Sequence, residues 1–138
     1  MARAVLIDSG PLVAALRARD HHHAWARAHF EAADEPFVTC ESVISESLFL
    51  LERAHDGKEA LCRLLERGIV LVDFPFHGQL TEILRLIRRY DDTPMSLADA
   101  CLVRMAEQRE ESVIFTTDSD FRMYRKNGRQ VIPLIMPE

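Results

Sequence analysis

Lysine is almost missing from this 138-residue chain: Lys58 and Lys126 are the only two, and 15 arginines supply the rest of the positive side-chain charge. Acids outnumber bases, 22 to 17, for a net charge of −5. An acidic chain does not hold a phosphate backbone by overall attraction, so any nucleic acid contact must be a local patch. Glycine is also scarce. The 5 glycines are scattered, which excludes a Gly-rich phosphate loop. The cysteines, Cys40, Cys62 and Cys101, are odd in number and form no C-x-x-C pair, which argues against a disulfide framework and a zinc ribbon. Each lies in an apolar setting and reads as a small buried side chain. No apolar run approaches the ~18 residues of a membrane span. The start, Met-Ala-Arg-Ala-Val-Leu-Ile-Asp, has one Arg and a short apolar run ended by an acid, unlike a secretory signal. These absences point to a soluble protein of a reducing cytoplasm, without a membrane partner.

What is present is an ordinary globular composition, 48% apolar and 28% charged, which excludes disorder and low-complexity classes. The length suits one domain, residues 1–138. Five short runs rich in Val and Ile read as strands: Ala4–Ile7, Pro36–Cys40, Ile69–Asp73, Ser112–Thr116 and Val131–Ile135. Their near-continuous apolar character suits strands covered on both faces. Between them lie helical stripes, such as Val43, Ser47, Leu50, Leu51 and Ala54, and Leu80, Ile83, Leu84 and Ile87. Ser96–Glu107 is apolar on most sides and predicts a central, buried helix. The fold class is α/β, with a central parallel sheet of about five strands flanked by helices.

In such a sheet, strands end and helices begin at one common edge, where ligands bind. Asp8 follows the first strand. Asp118 and Asp120 follow the fourth, Asp99 lies in the first turn of the buried helix, and Glu46 lies in the second turn of the helix after the second strand. Five carboxylates are thus expected at one rim. They repel, and the remedies are raised pKa values or a bound divalent cation. An all-oxygen set suits Mg²⁺ or Mn²⁺. Each acid also has a structural reading. Asp8 fits a helix cap, Ser96 and Asp99 a loose capping box, and Asp118 and Asp120 an Asx turn. Glu46 borders the apolar stripe through Val43 and Leu50. A half-buried carboxylate there needs a partner, either at this rim or as a salt bridge to Arg53 or another Arg. Asp73 also ends a strand, and spacing does not exclude it.

Weaker features complete the inventory. His21, His22 and His23 are adjacent, so they cannot all face one ion. Ser9 precedes Gly10 but lacks a nucleophile-elbow pattern. The segment Arg122-Met-Tyr124-Arg125-Lys126-Asn-Gly-Arg129 mixes four cations with a tyrosine and is either a solvated loop or a surface that touches RNA phosphates and stacks a base.

In order and setting, four pieces of this chain resemble the PIN domain, and within it the VapC-type toxins of bacterial toxin–antitoxin pairs. They are Val-Leu-Ile-Asp8-Ser-Gly-Pro-Leu, Ser42-Val-Ile-Ser-Glu46, Ser96-Leu-Ala-Asp99-Ala and Phe115-Thr-Thr-Asp118-Ser-Asp120-Phe121. The resemblance spans nearly the whole chain and is carried by the ordered set, not by any one piece. It implies a metal-dependent endoribonuclease in which Asp8, Glu46, Asp99 and Asp118 form an acidic quartet around Mg²⁺ or Mn²⁺. Asp120 matches a frequent fifth acid, Thr116 a polar helper, and Asp73 is left outside. Ser9 stands where Thr is frequent and keeps the hydroxyl. The resemblance also implies a homodimer, an antitoxin protein that blocks the site, and a structured RNA substrate such as tRNA or rRNA. In that scheme Asp8 and Asp99 bind metal directly, Asp118 completes the set, and Glu46 orients water or a second ion. Two alternatives belong to the same fold: a PIN nuclease of RNA processing, and a PIN domain that binds RNA or protein without cutting. A haloacid-dehalogenase-like phosphatase needs an acid where Gly10 stands, and a receiver domain needs paired acids near the start and a Lys after a late strand, which are not seen.

Overall fold

The computed structural model describes residues 3–138; Met1 and Ala2 of the opening run lie outside the described residues. In chain order the elements are β1 (Ala4–Ile7), α1 (Ser9–Leu16), α2 (His23–Ala32), β2 (Phe37–Thr39), α3 (Glu41–Leu50), α4 (Gly57–Glu66), β3 (Val70–Val72), α5 (Leu80–Arg89), α6 (Leu97–Gln108), β4 (Ser112–Phe115), β5 (Arg125–Lys126), β6 (Gln130–Val131) and β7 (Leu134–Ile135). One-turn 3₁₀ helices span His77–Gln79 and Ser119–Arg122. Five strands form one sheet in the order β3-β2-β1-β4-β7, every pair parallel. From β1 the chain steps outward to β2 and β3, and β4 returns to its other side. The topological switch therefore lies between β1 and β4, the place where open α/β sheets bind ligands.

The central pair is the most buried part of the sheet. β1 and β4 pair from Ala4↔Ser112 to Ile7↔Phe115, and all four residues of β4 are buried. Helix α6 is buried along Ala98–Val103, Met105 and Ala106, as its all-round apolar pattern predicts. Trp25 and Phe30 of α2 are partly buried and pack against the core, edge-on and tilted against Phe115 at centroid distances of 5.1 and 6.4 Å. Burying each large apolar side chain contributes about 1.5–3 kcal/mol, so this layer holds the sheet edge rigid beneath the acids.

The structure departs from the pattern in three places. The run Val131–Ile135 is not one strand. Val131 pairs antiparallel with Arg125 in a small β5–β6 ribbon, and only Leu134–Ile135 joins the main sheet. Pro133 stands between them. It lacks the N–H a ladder needs, and contributes only its carbonyl, to the Ile114 amide at 2.9 Å. β3 is an edge strand, and Leu71 and Val72 are exposed, so its apolar run does not mean cover on both faces. Cys62 is exposed on α4, whereas Cys40 and Cys101 are buried. Among the described residues no helix is long and apolar enough to cross a membrane.

Candidate active site

Asp8 leaves β1 in extended backbone and caps α1, its Oδ1 accepting the Ser9 amide at 2.8 Å. Its Oδ2 accepts the Thr116 hydroxyl at 2.7 Å. The same Thr116 oxygen accepts the Asp118 amide at 3.0 Å. One hydroxyl thus ties the end of β1 to the loop after β4. Gly10 allows that approach: a Cβ there would meet the Thr117 Oγ1 at 2.1 Å. Asp118 in turn accepts the Asp120 amide at 2.9 Å through Oδ1.

Asp99 sits on α6 at the same edge. Ser96 and Asp99 form a full capping box: the Ser96 hydroxyl accepts the Asp99 amide at 3.0 Å, and Asp99 Oδ2 accepts the Ser96 amide at 3.3 Å. The buried Tyr124 hydroxyl also donates to Oδ2, at 2.9 Å. Oδ1 makes no hydrogen bond among the described residues. Capping and availability therefore coexist in one carboxylate: one oxygen holds the helix start and the other is unbonded and keeps some access to solvent. The caps and turns open to Asp8, Asp99 and Asp118 on spacing alone are all present.

Glu46 is exposed, not half-buried as its place beside Val43 and Leu50 predicts, because α3 ends at Leu50 and Leu50 itself is exposed. Glu46 has no ion pair with Arg53 among the described residues. Its Oε1 instead accepts the Ser9 hydroxyl, which joins α3 to the start of α1. Asp73 stands apart. It follows β3, two strands from β1, about 10 Å at the usual strand spacing, and it pairs with Arg109 at 3.5 Å.

Charge accumulates at this edge. Asp8 and Asp99 are each only 6% exposed. Burial pushes the Asp8 carboxyl up to about 6, against the lowering effect of the Thr116 and Ser9 hydrogen bonds, and the Asp99 and Glu46 charges raise it further. Asp99 is raised too, chiefly by burial and then by the Asp118 charge, with the Tyr124 and Ser96 bonds opposing. The Tyr124 hydroxyl is pushed well above its ordinary range by burial and by Asp99, so it stays a proton donor. Among the described residues no Lys, Arg or His forms an ion pair with Asp8, Glu46, Asp99, Asp118 or Asp120. Nor does any group of three or more His, Cys, Asp or Glu among them converge closely enough to cage a metal ion.

The segment after Asp120 is a correction. Tyr124 is fully buried, its ring edge-on to Phe121 and Tyr90 at about 5 Å, so it offers no face to a base. Lys126 is buried in the ribbon. Arg125 spends Nη1 on the carbonyls of Arg122, Met123 and Tyr124 at 2.8–3.2 Å. Of the four cations, Arg122 and Arg129 remain exposed. Tyr124's role as a donor to Asp99 is the site residue that sequence reasoning misplaced; Phe121 and Tyr124, three apart, were the apolar signal among the charges. The three histidines do not share one direction: the His21 and His22 rings meet edge-on at 4.7 Å, His22 meets Trp25 edge-on at 5.9 Å, and His23 Nδ1 turns away to lie 2.7 Å from the Ala14 carbonyl.

No curated protein matches the chain in sequence. Among solved structures, the crystal structure of Mycobacterium tuberculosis VapC20, a sarcin–ricin-loop-cleaving toxin, is similar with a TM-score of 0.75 at 18% identity, over 85% of this chain and 92% of that one. At that identity the likeness concerns the fold. The PIN-domain family model matches residues 5–127, from β1 through the acid after β4 and into the β5–β6 turn, and the chain belongs to the PIN-domain family.

Proposed function

We propose that the acidic edge is the active site of a Mg²⁺- or Mn²⁺-dependent endoribonuclease, acting as the toxin of a toxin–antitoxin pair. The observation that supports this most is a set of five carboxylates at the switch point of a PIN-domain sheet, two of them nearly buried, with no ion-paired cation among the described residues. The donor set fits a hard divalent ion: all donors are oxygen, and an ion of this kind is held by one or two carboxylates and keeps its remaining waters. Asp8 and Asp99 would hold it, with Asp118 and Asp120 completing the set directly or through water. When bound, such an ion neutralises phosphate charge and makes its water a stronger acid.

The chain's own groups set the rest. Thr116 and the Ser9 amide hold the Asp8 carboxylate in place, and Tyr124 and the Ser96 amide fix Asp99 Oδ2 and leave Oδ1 unbonded. Glu46, exposed and anchored through Ser9, orients the attacking water and takes its proton. In the metal-free protein the raised pKa of Asp8 keeps its carboxyl partly protonated near pH 6, so cation binding should strengthen as pH rises and that proton leaves. The substrate is a structured RNA such as tRNA or an rRNA loop; the similar toxin's description names one such loop. A cognate antitoxin and a homodimer complete the proposal.

The test is cleavage of total RNA by purified protein, with Mg²⁺ or Mn²⁺, with EDTA, and beside Asp99→Asn. Discrete products that vanish with EDTA and with the variant are expected. The same products in EDTA, or none with either metal, would overturn the proposal. In the latter case the second reading, a PIN domain that binds without cutting, would lead; the absence of a three-ligand cage among the described residues favours it.

A further inference from the structure

At the far ends of α1 and α3 lies a cleft of about 520 Å³ whose charged lining is entirely basic: Arg17, Arg19, Arg53 and His55, over Leu16 and Ala54. Five arginines elsewhere on the surface are paired with carboxylates. Arg27, Arg63, Arg85, Arg104 and Arg109 each meet a carboxylate, whereas among the described residues Arg17, Arg19 and Arg53 meet none. Of the acids beside these arginines in sequence, Asp20 accepts the His22 amide at 2.9 Å, Asp56 meets His55 at 3.1 Å, and Glu52 forms no ion pair among the described residues. Arg17 donates through Nη2 to the Leu50 carbonyl, which pins its guanidinium across the two helix ends. Cations are expected at helix C-termini, but two such ends carry roughly half a negative charge each. Three guanidinium groups exceed that, so the lining side chains carry a surplus of about two positive charges, with Asp20, Glu52 and Asp56 flanking them in sequence but outside the lining.

We propose that this cleft binds the phosphate backbone of RNA and anchors the substrate away from the acidic edge, an inference that rests on reading that edge as an RNA-cutting site. Three observations select RNA as the occupant. An acidic chain needs a local patch to hold a polyanion. The basic lining is arginine, whose planar fork matches phosphate oxygens. The cleft is also linked to the acids across one helix pair: α1 starts at Ser9, bonded to Glu46, and ends at Leu16, eight residues or about 12 Å later. Because α1 is buried over Pro11–Ala15, the exposed route is along α3, from Glu46 to Phe49 and Leu50. A stacked strand covers that distance in roughly three to four nucleotides at 3.4 Å each.

The test is a double variant, Arg19→Ala with Arg53→Ala, both exposed residues. Arg17 is kept because it also bonds the Leu50 carbonyl. Binding of a fluorescein-labelled, mixed-sequence 12-nucleotide RNA is followed by anisotropy in EDTA between 50 and 200 mM KCl. Each phosphate contact to single-stranded RNA contributes about 0.7 to the slope of log K against log salt. The double variant should bind at least tenfold more weakly, with a slope shallower by about 1.4. It should keep the wild-type melting temperature and kcat while KM for cleavage rises. RNA binding and slope equal to wild type would overturn the proposal, as would weaker binding at an unchanged slope. A polyglutamate peptide that binds the wild type more tightly than the RNA does, and is lost in the variant, would reassign the cleft to an acidic protein segment. Failure of the wild type both to bind and to cleave RNA would instead sink the reading of the acidic edge.

Discussion

Replacing Asp8 by Asn should make the protein more stable at neutral pH while abolishing its activity. Asp8 is nearly buried and its carboxyl is raised from 3.8 to about 6. Between those values the folded state holds a proton that the unfolded state has released, so stability falls as pH rises through this window. Two units at 1.36 kcal/mol each place the cost of the charged form at about 3 kcal/mol above pH 6. Asparagine removes the charge but cannot accept both the Ser9 amide and the Thr116 hydroxyl in the same way. A hydrogen bond is worth about 1 kcal/mol, so the expected gain is about 1–2 kcal/mol at pH 7.5. At this chain length that is a rise of roughly 2–8 °C in melting temperature. At pH 4 the wild-type carboxyl is protonated when folded, and the gain should vanish or reverse. Thermal unfolding in EDTA across pH 4–8 reads this directly. A variant less stable than wild type at pH 7.5, or a gain independent of pH, would refute the electrostatic account of the edge. A site that trades stability for function is expected to behave this way.

Tyr124→Phe removes the hydroxyl bonded to Asp99 Oδ2, and hydrogen bonds to charged groups are worth about 1.5–3 kcal/mol; Mn²⁺ affinity by calorimetry should weaken, whereas Tyr90→Phe, whose hydroxyl only accepts the Arg125 amide, should leave it unchanged. Thr116→Val keeps the volume but severs the bridge from Asp8 to the Asp118 amide, so cleavage should fall at least tenfold with circular dichroism unaltered. Leu102→Ala, at a fully buried position of α6, should cost about 2–5 kcal/mol in denaturant unfolding. Glu107→Ala strips the nearly buried carboxylate that meets Arg85 and Arg104 at 3.2 and 3.3 Å and the Asn127 amide at 2.8 Å; because both arginines reach solvent, the expected loss is about 1–3 kcal/mol, below that of a fully buried pair.

The central strands and helix were legible because burial there is simple. β4 and α6 are covered on every side, and apolar runs of strand and helix length report that without ambiguity. The edges were harder. The run at β3 looks as apolar as β4, yet Leu71 and Val72 face outward, because sequence does not say which strand lies at the rim. The last run was split by Pro133, whose missing donor could be noted, but whose neighbours in a separate ribbon could not. The acids were legible as a set, since strand ends and helix starts must share an edge. Their individual environments were not. Exposure of Glu46 depends on where α3 stops, and burial of Tyr124 depends on how the hairpin after Asp120 folds back on α6. Local charge density around Tyr124 and Lys126 favours a surface reading, and tertiary packing against Tyr90 and Phe121 overrides it.

The most direct measurement is calorimetric titration of Mn²⁺ into the wild-type protein beside Asp8→Asn and Asp99→Asn. Saturable binding by the wild type, lost or weakened at least tenfold in each variant, is the predicted result. Equal binding by all three proteins, or none by a folded wild type, would contradict the assignment of the acidic edge as a cation site.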